Sequence, residues 1–178
     1  MTDEETNKGC DTEILDRHIE RTEDMTGRHN KVLGFRIDLD YRSPVASKKS
    51  IQDISNTIAR TKRYFDRKGI DTSFSWRQEE SKQTLPHGHV AVMVDGNKLM
   101  APGKVVDKLK ENWKRQAGED NSRIFICEGT YRMRRNDSDF KQVKDDWIHR
   151  TSYLAKERDR GNTPDRQHEH GGTRVKKR

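Results

Sequence analysis

The chain has 178 residues, 37 Lys and Arg against 30 Asp and Glu, and is 29% hydrophobic but 38% charged. No apolar run approaches the roughly 18 residues a bilayer span needs, and the N-terminal MTDEETNKGC has no apolar signal core. Two cysteines, Cys10 and Cys127, are too few for a disulfide framework or a structural zinc site, so the expected setting is a reducing cytoplasm rather than a membrane.

The charge is uneven. Residues 1–29 hold nine acidic and four basic residues, a net of −5, which leaves +12 on the remaining 149. A basic body behind an acidic leader points to a polyanionic partner, nucleic acid first. Three regions are expected: an acidic, partly disordered leader over 1–30, one folded domain over 31–158, and a disordered basic tail over 159–178. In the leader, Ile14, Leu15 and Ile19 suggest one short helix. The tail, GNTPDRQHEHGGTRVKKR, is rich in Gly and charge.

Within the central region the periodicity alternates. VLGFRIDLDY (32–41) predicts a strand, with Leu33, Phe35, Ile37 and Leu39 on one face and Arg36, Asp38 and Asp40 on the other. SIQDISNTIARTKRYFDRKG (50–69) predicts an amphipathic helix closed by Gly69. DTSFSWRQEE (71–80) and HGHVAVMVDG (87–96) read as strands, the second closed by an Asp-Gly turn. VVDKLKENWKRQAG (105–118) predicts a helix, RIFICEGTYRMRR (123–135) a strand, and DDWIHRTSYLAKER (145–158) a last helix. The order β-α-β-β-α-β-α implies an α+β fold of the split βαβ kind. This is an antiparallel sheet with helices on one face and the other face open.

The sharpest chemical feature is His87-Gly88-His89. Histidines at i and i+2 on a strand point to one face and can share a divalent ion. If Val90, Val92 and Val94 lie under the helices, His87 and His89 lie on the open face. In the neighbouring strand Phe74 and Trp76 would lie under the helices, and Ser75, Arg77 and Glu79 beside the histidines. Glu79 is therefore the candidate third ligand, with Glu80 as the alternative should a bulge shift the strand. Two histidines and a carboxylate suit Mg²⁺ or Mn²⁺ acting on a phosphodiester. Asp38 and Asp40 point to the same face and are placed to orient ligands. A second feature is Tyr153-Leu154-Ala155-Lys156, where Tyr153 and Lys156 are i, i+3 neighbours. A lysine there favours the phenolate or stabilises charge on a phosphate under attack, and a tyrosine so placed can be a covalent nucleophile.

A RIDLDY strand, a W-x-x-E, a Pro-His-Gly-His-Val strand and a final Tyr-x-x-Lys come in one order over about residues 31–157. This set resembles the HUH single-tyrosine endonucleases that initiate rolling-circle replication. Within that superfamily it is most similar to inovirus-type replication proteins and the YagK/YfjJ-type C-terminal domain. The resemblance implies an HUH palm of RRM-like or ferredoxin-like type, with a divalent metal, Mg²⁺ or Mn²⁺, on His87, His89 and Glu79. It implies Tyr153 as nucleophile and Lys156 as its helper. The implied reaction nicks and rejoins single-stranded DNA, such as a hairpin origin, through a 5′-phosphotyrosine, in the cytoplasm of a bacterial host. Gly88 departs from the bulky apolar residue usual between the histidines, which is expected to lose packing.

Arg36, Arg77, Arg132 and Arg134 are the expected DNA contacts. Gly96 to Gly103-Lys104 is spaced too widely for a P-loop and lacks the following Ser or Thr, so no nucleotide cofactor is expected and unwinding falls to a host helicase. Two other readings remain: a relaxase- or transposase-like HUH nickase, and a non-catalytic RRM-like nucleic-acid-binding module. The strand over 123–135 does not fit the RRM pattern, which speaks against the last.

Overall fold

A computed structural model describes residues 11–81, 84–155 and 169–175. The elements are α1 (Thr12–Arg28), β1 (Lys31–Tyr41), α2 (Ser47–Arg67), β2 (Thr72–Ser81), β3 (Thr84–Asp95), α3 (Gly103–Ala117), β4 (Ser122–Arg134), α4 (Phe140–Thr151), a 3₁₀ turn (Ser152–Ala155) and β5 (His170–Gly172). The five strands form one antiparallel sheet in the order β4-β1-β3-β2-β5. Among the described residues no helix is long and apolar enough to cross a membrane.

One face of the sheet carries the main core. Leu33, Phe35, Ile37 and Leu39 of β1, Phe74 and Trp76 of β2, and Val90, Val92 and Val94 of β3 pack against Ile54, Ile58 and Phe65 of α2 and Leu109 and Trp113 of α3. The period-2 pattern predicted these faces, and the period-3.6 pattern predicted the stripes that cover them. Gly69 ends α2 at φ +66, a conformation glycine adopts without strain.

The other face is not open along its length, which corrects the expectation of helices on one side. Met25 of α1 and Trp147 of α4 pack with Val32, Ala91, Met93, Met133 and Leu154 in a second apolar cluster. A Cβ at Gly34 would come 3.0 Å from the Trp147 indole, so glycine lets α4 lie close against β1. Accordingly β1 is buried on both faces from Val32 to Ile37, and Asp38 and Asp40, further on, are only half-buried. The open surface is thus the half of this face beyond α1 and α4.

Residues 12–28, expected within a partly disordered leader, form α1. Its helix is capped by the Asp11 carboxylate, which accepts from the Ile14 amide at 3.2 Å. Its buried stripe is His18, Thr22, Met25 and Thr26, whereas Ile14, Leu15 and Ile19 are only half-buried. The stripe tolerates polar residues because each finds a partner. Thr22 and Thr26 donate to backbone carbonyls one turn back, at 3.1 and 2.8 Å. His18 lies 3.1 Å from Ser75 Oγ and in contact with Thr151 Oγ1. Part of the expected disordered tail is also ordered: β5 pairs with β2, and Arg21 Nε of α1 donates to the Thr173 carbonyl at 2.7 Å. Residues 159–168 lie outside the described residues.

Candidate metal and tyrosine site

Cross-strand register builds the site in two rows. Arg123, Asp40, His87 and Glu79 stand opposite one another across β4, β1, β3 and β2, and Phe125, Asp38, His89 and Arg77 form the next row. Residues directly opposite in an antiparallel pair share a face, so every one of these side chains is on the half-open side.

His87 Nδ1 lies 3.0 Å from the Leu85 carbonyl, which only accepts, so this nitrogen carries the proton and Nε2 is left toward Glu79, 3.9 Å from its Oε2. His89 Nδ1 donates to Asp38 Oδ1 at 2.7 Å, and its Nε2 lies 3.2 Å from the same Glu79 Oε2. Glu79, His87 and His89 therefore bring one potential ligand atom each within 4.8 Å of one another. Glu79 Oε1 is buried with no hydrogen-bond partner. Two imidazole nitrogens that converge on one carboxylate oxygen suit a divalent cation, and Asp38 stands behind His89 where an outer partner orients a ligating imidazole. Glu80 turns away and bonds to Ser47 Oγ of α2. This separates the two glutamates that the sequence left open.

Tyr153 completes the cluster. Its hydroxyl donates to Glu79 Oε2 at 3.1 Å and lies 3.2 Å from His89 Nε2. The Arg36 guanidinium stands 5.1 Å from the centre of the Tyr153 ring and 3.8 Å from Asp38 Oδ1, and its Nε is buried without a partner. Tyr153 is carried on the 3₁₀ turn, not on the α-helix expected to run to residue 158. Helix α4 starts earlier, at Phe140, and gives way after Thr151, where the Ser152 hydroxyl donates to the His149 carbonyl at 2.7 Å. The buried Leu154 and Ala155 then tuck the turn against the sheet.

The electrostatics are tightly linked. Burial opposes charge on His89, but its hydrogen bonds to Asp38 and Glu79 outweigh this and raise its pKa to about 9. Burial likewise opposes the charges of Asp38 and Glu79, yet the bond each makes to His89 holds each below the usual carboxylate range. Burial, followed by the charge of Glu79, pushes the Tyr153 phenol up to about 12.

Four of the expected site residues, Glu79, His87, His89 and Tyr153, thus converge. Lys156 lies outside the described residues. Of the expected DNA contacts only Arg36 is at the site with unused donor capacity. Arg77 is buried and donates from Nη1 to the Leu154 carbonyl at 3.1 Å, so it fastens the turn that bears Tyr153. Arg132 and Arg134 pair with Leu33 and Lys31, at the opposite end of β1 and on the other face, so they do not belong to this site. Gly88 does not loosen the core. Ile54 of α2 fills the space, and a Cβ at Gly88 would sit 2.7 Å from its Cδ1. Cys127 is half-buried and free. Sequence reading missed Arg123 and Phe125; the alternation Arg-Ile-Phe-Ile-Cys, with Ile124 packed on the main core, was the available signal.

The fold and site define an α+β protein with a histidine–carboxylate cluster beside a tyrosine. The family model of the YagK/YfjJ C-terminal domain matches residues 3–172, and the chain belongs to that family. The match takes in α1 and β5, beyond the span of the motifs. The comparison with curated proteins returned no significant match. Among solved structures the chain is similar to a VAO-type flavoprotein, MtVAO713, from Myceliophthora thermophila C1, at 17% identity and a TM-score of 0.38 over 58% of this chain and 18% of that one. A likeness that distant carries no functional argument.

Proposed function

We propose that this protein is a divalent-metal-dependent nickase and joiner of single-stranded DNA, of the HUH single-tyrosine type, that initiates rolling-circle replication. The observation that carries the reading is the Tyr153 hydroxyl, 3.1 Å from Glu79 Oε2 and 3.2 Å from His89 Nε2. A potential nucleophile lies against the same atoms that converge as metal ligands.

His87, His89 and Glu79 would hold magnesium or manganese, which supplies Lewis-acid polarisation of the scissile phosphodiester. The Tyr153 oxygen attacks phosphorus, the new Tyr–O–P bond forms, and the P–O3′ bond breaks. The phenol proton passes to solvent and the departing 3′ oxygen takes one from solvent, so the step consumes no net proton. The product is a 5′-phosphotyrosine and a free 3′-OH. Attack by another 3′-OH reverses the step and rejoins the strand. Arg36 is placed to offset charge on the phosphate as it develops. Asp38 holds the His89 tautomer, and Arg77 holds the turn that presents Tyr153. On this reading the protein acts in the bacterial cytoplasm, and a separate helicase opens the duplex.

The test is a denaturing gel. The protein is incubated with Mn²⁺ and labelled single strands tiled across its own genetic element, beside Tyr153→Phe and EDTA controls. A denaturant-resistant adduct, absent from both controls, is the expected result, and the reactive tile distinguishes a replication origin from a transfer or transposon end. Binding without an adduct on any tile would leave a non-catalytic nucleic-acid-binding module instead.

A further inference from the structure

We propose that Phe125 and Arg123 form a base-stacking subsite for the nucleotide beside the phosphate at the histidine pair. The proposal rests on the single-stranded-DNA reading above and extends it to a surface that neither the motifs nor the family match assigns.

Four large hydrophobic side chains are exposed among the described residues: Tyr64, Met100, Phe125 and Ile126. Tyr64 lies under the ammonium groups of Lys68 and Lys108, at 5.0 and 4.2 Å. Ile126 stands opposite Ile37 and so belongs to the main-core face. Phe125 differs because it stands opposite Asp38, which stands opposite His89, all on the half-open face. Two strand spacings put its backbone about 10 Å from that of His89, within reach of one nucleotide. Phe125 is 40% exposed, and it helps line a cavity of about 450 Å³ together with Asp38, Asp40, His87, His89 and Leu85. A volume of that order accepts a nucleotide-sized ligand. One wall is therefore the metal cluster and another is a flat aromatic ring.

Charge favours the same occupant. The Arg123 guanidinium stands 4.1 Å from the Phe125 ring centre, and it makes no ion pair among the described residues. A cation over an aromatic ring beside a phosphate-binding centre is the combination that grips single strands: the ring stacks on a base, and the guanidinium meets the backbone. Every base has a π-face, so this grip is tolerant of sequence. It positions the strand, whereas choice of site must come from elsewhere.

The experiment measures anisotropy of labelled dT12, and of an abasic strand of the same length, with Mg²⁺ on the full chain. Phe125→Ala and Phe125→Trp are compared with the unmodified protein, and thermal melts establish that each variant is folded. The expected result is a loss of about tenfold or more in dT12 affinity for Phe125→Ala, no change for the abasic strand, and dT12 affinity retained by Phe125→Trp. Equal weakening of both strands, no weakening of either, or no binding of dT12 by the unmodified protein would overturn the subsite. The Tyr153 adduct is scored separately. An adduct with Phe125→Ala binding like the unmodified protein sinks the subsite and leaves the nickase. Selective weakening without an adduct does the reverse.

Discussion

The two halves of the half-covered sheet face each bury a histidine, and they treat it in opposite ways. Beneath α1 and α4, His18 is 2% exposed, touches the hydroxyls of Ser75 and Thr151, and is lowered to about 4 by burial and then by the charge of Arg21. In the open half His89 is 6% exposed, yet the carboxylates of Asp38 and Glu79 more than offset burial and raise it to about 9. Similar burial gives shifts of opposite sign, so the partner's charge decides what a buried imidazole can do. Neutral and bound to hydroxyls, His18 is a structural strut. Between carboxylates, with Nε2 turned to a shared point, His89 offers one of the three ligand atoms that converge in the candidate metal cluster.

The hardest way to break this contrast is to empty the covered half. Trp147→Ala should cost about 4 kcal/mol, read as a shift in urea midpoint, because the buried indole fills the space over Gly34. Trp147→Phe should cost far less, since the indole Nε1 is buried without a partner. A Trp147→Ala loss below about 1 kcal/mol would mean that α4 is not fastened by this contact.

The pH dependence separates the two histidines next. His18 titrates near 6.5 unfolded and about 4 folded, so the unfolded chain binds the extra proton between those values. Its contribution is complete above pH 6.5 and falls away toward pH 4, by about 3 kcal/mol in all. His18→Gln should flatten that acid limb in denaturant titrations. His89 works the other way in EDTA: its folded value is the higher one, so its contribution is full below pH 6.5 and is lost as pH rises through about 9. His89→Gln should therefore flatten an alkaline limb. The two variants moving the same limb would refute the contrast.

Smaller effects sharpen the open half. Asp38→Asn should weaken Mn²⁺ binding about 10–100-fold by calorimetry, because it removes the carboxylate that orients His89, whereas Glu80→Gln should leave it unchanged. Gly88→Ala should cost about 1–2 kcal/mol by crowding Ile54, and the added Ile54→Val should recover part of that loss. A neutral Gly88→Ala would show that Ile54 moves aside freely.

The open half was the more legible one. Alternation in 32–41, 71–80 and 87–96 placed Asp38, Glu79, His87 and His89 on one face before any pairing was known, and the register brings them together. The covered half was hidden because α1 buries His18, Thr22 and Thr26, which carry no apolar stripe to read. Only the hydroxyls and carbonyls they meet in the fold make that burial tolerable. Phe125 was hidden for the opposite reason: an aromatic in an alternating strand reads as core, and it is exposed because α1 and α4 cover only the other end of that face, where Met133 of the same strand is buried beneath them.

The sequence by itself determined the strands, the main-core helices and the sidedness of the histidine pair, because side-chain direction follows from local period alone. Tertiary structure alone decided the rest. It selected Glu79 over Glu80 by strand register, turned Arg77 from a DNA contact into a brace for Leu154, and set Arg132 and Arg134 at the far end of β1. It also brought Tyr153 from a 3₁₀ turn 64 residues along the chain to His89. Those outcomes depend on which distant groups share a strand pair or a packing surface, and no local period carries that information.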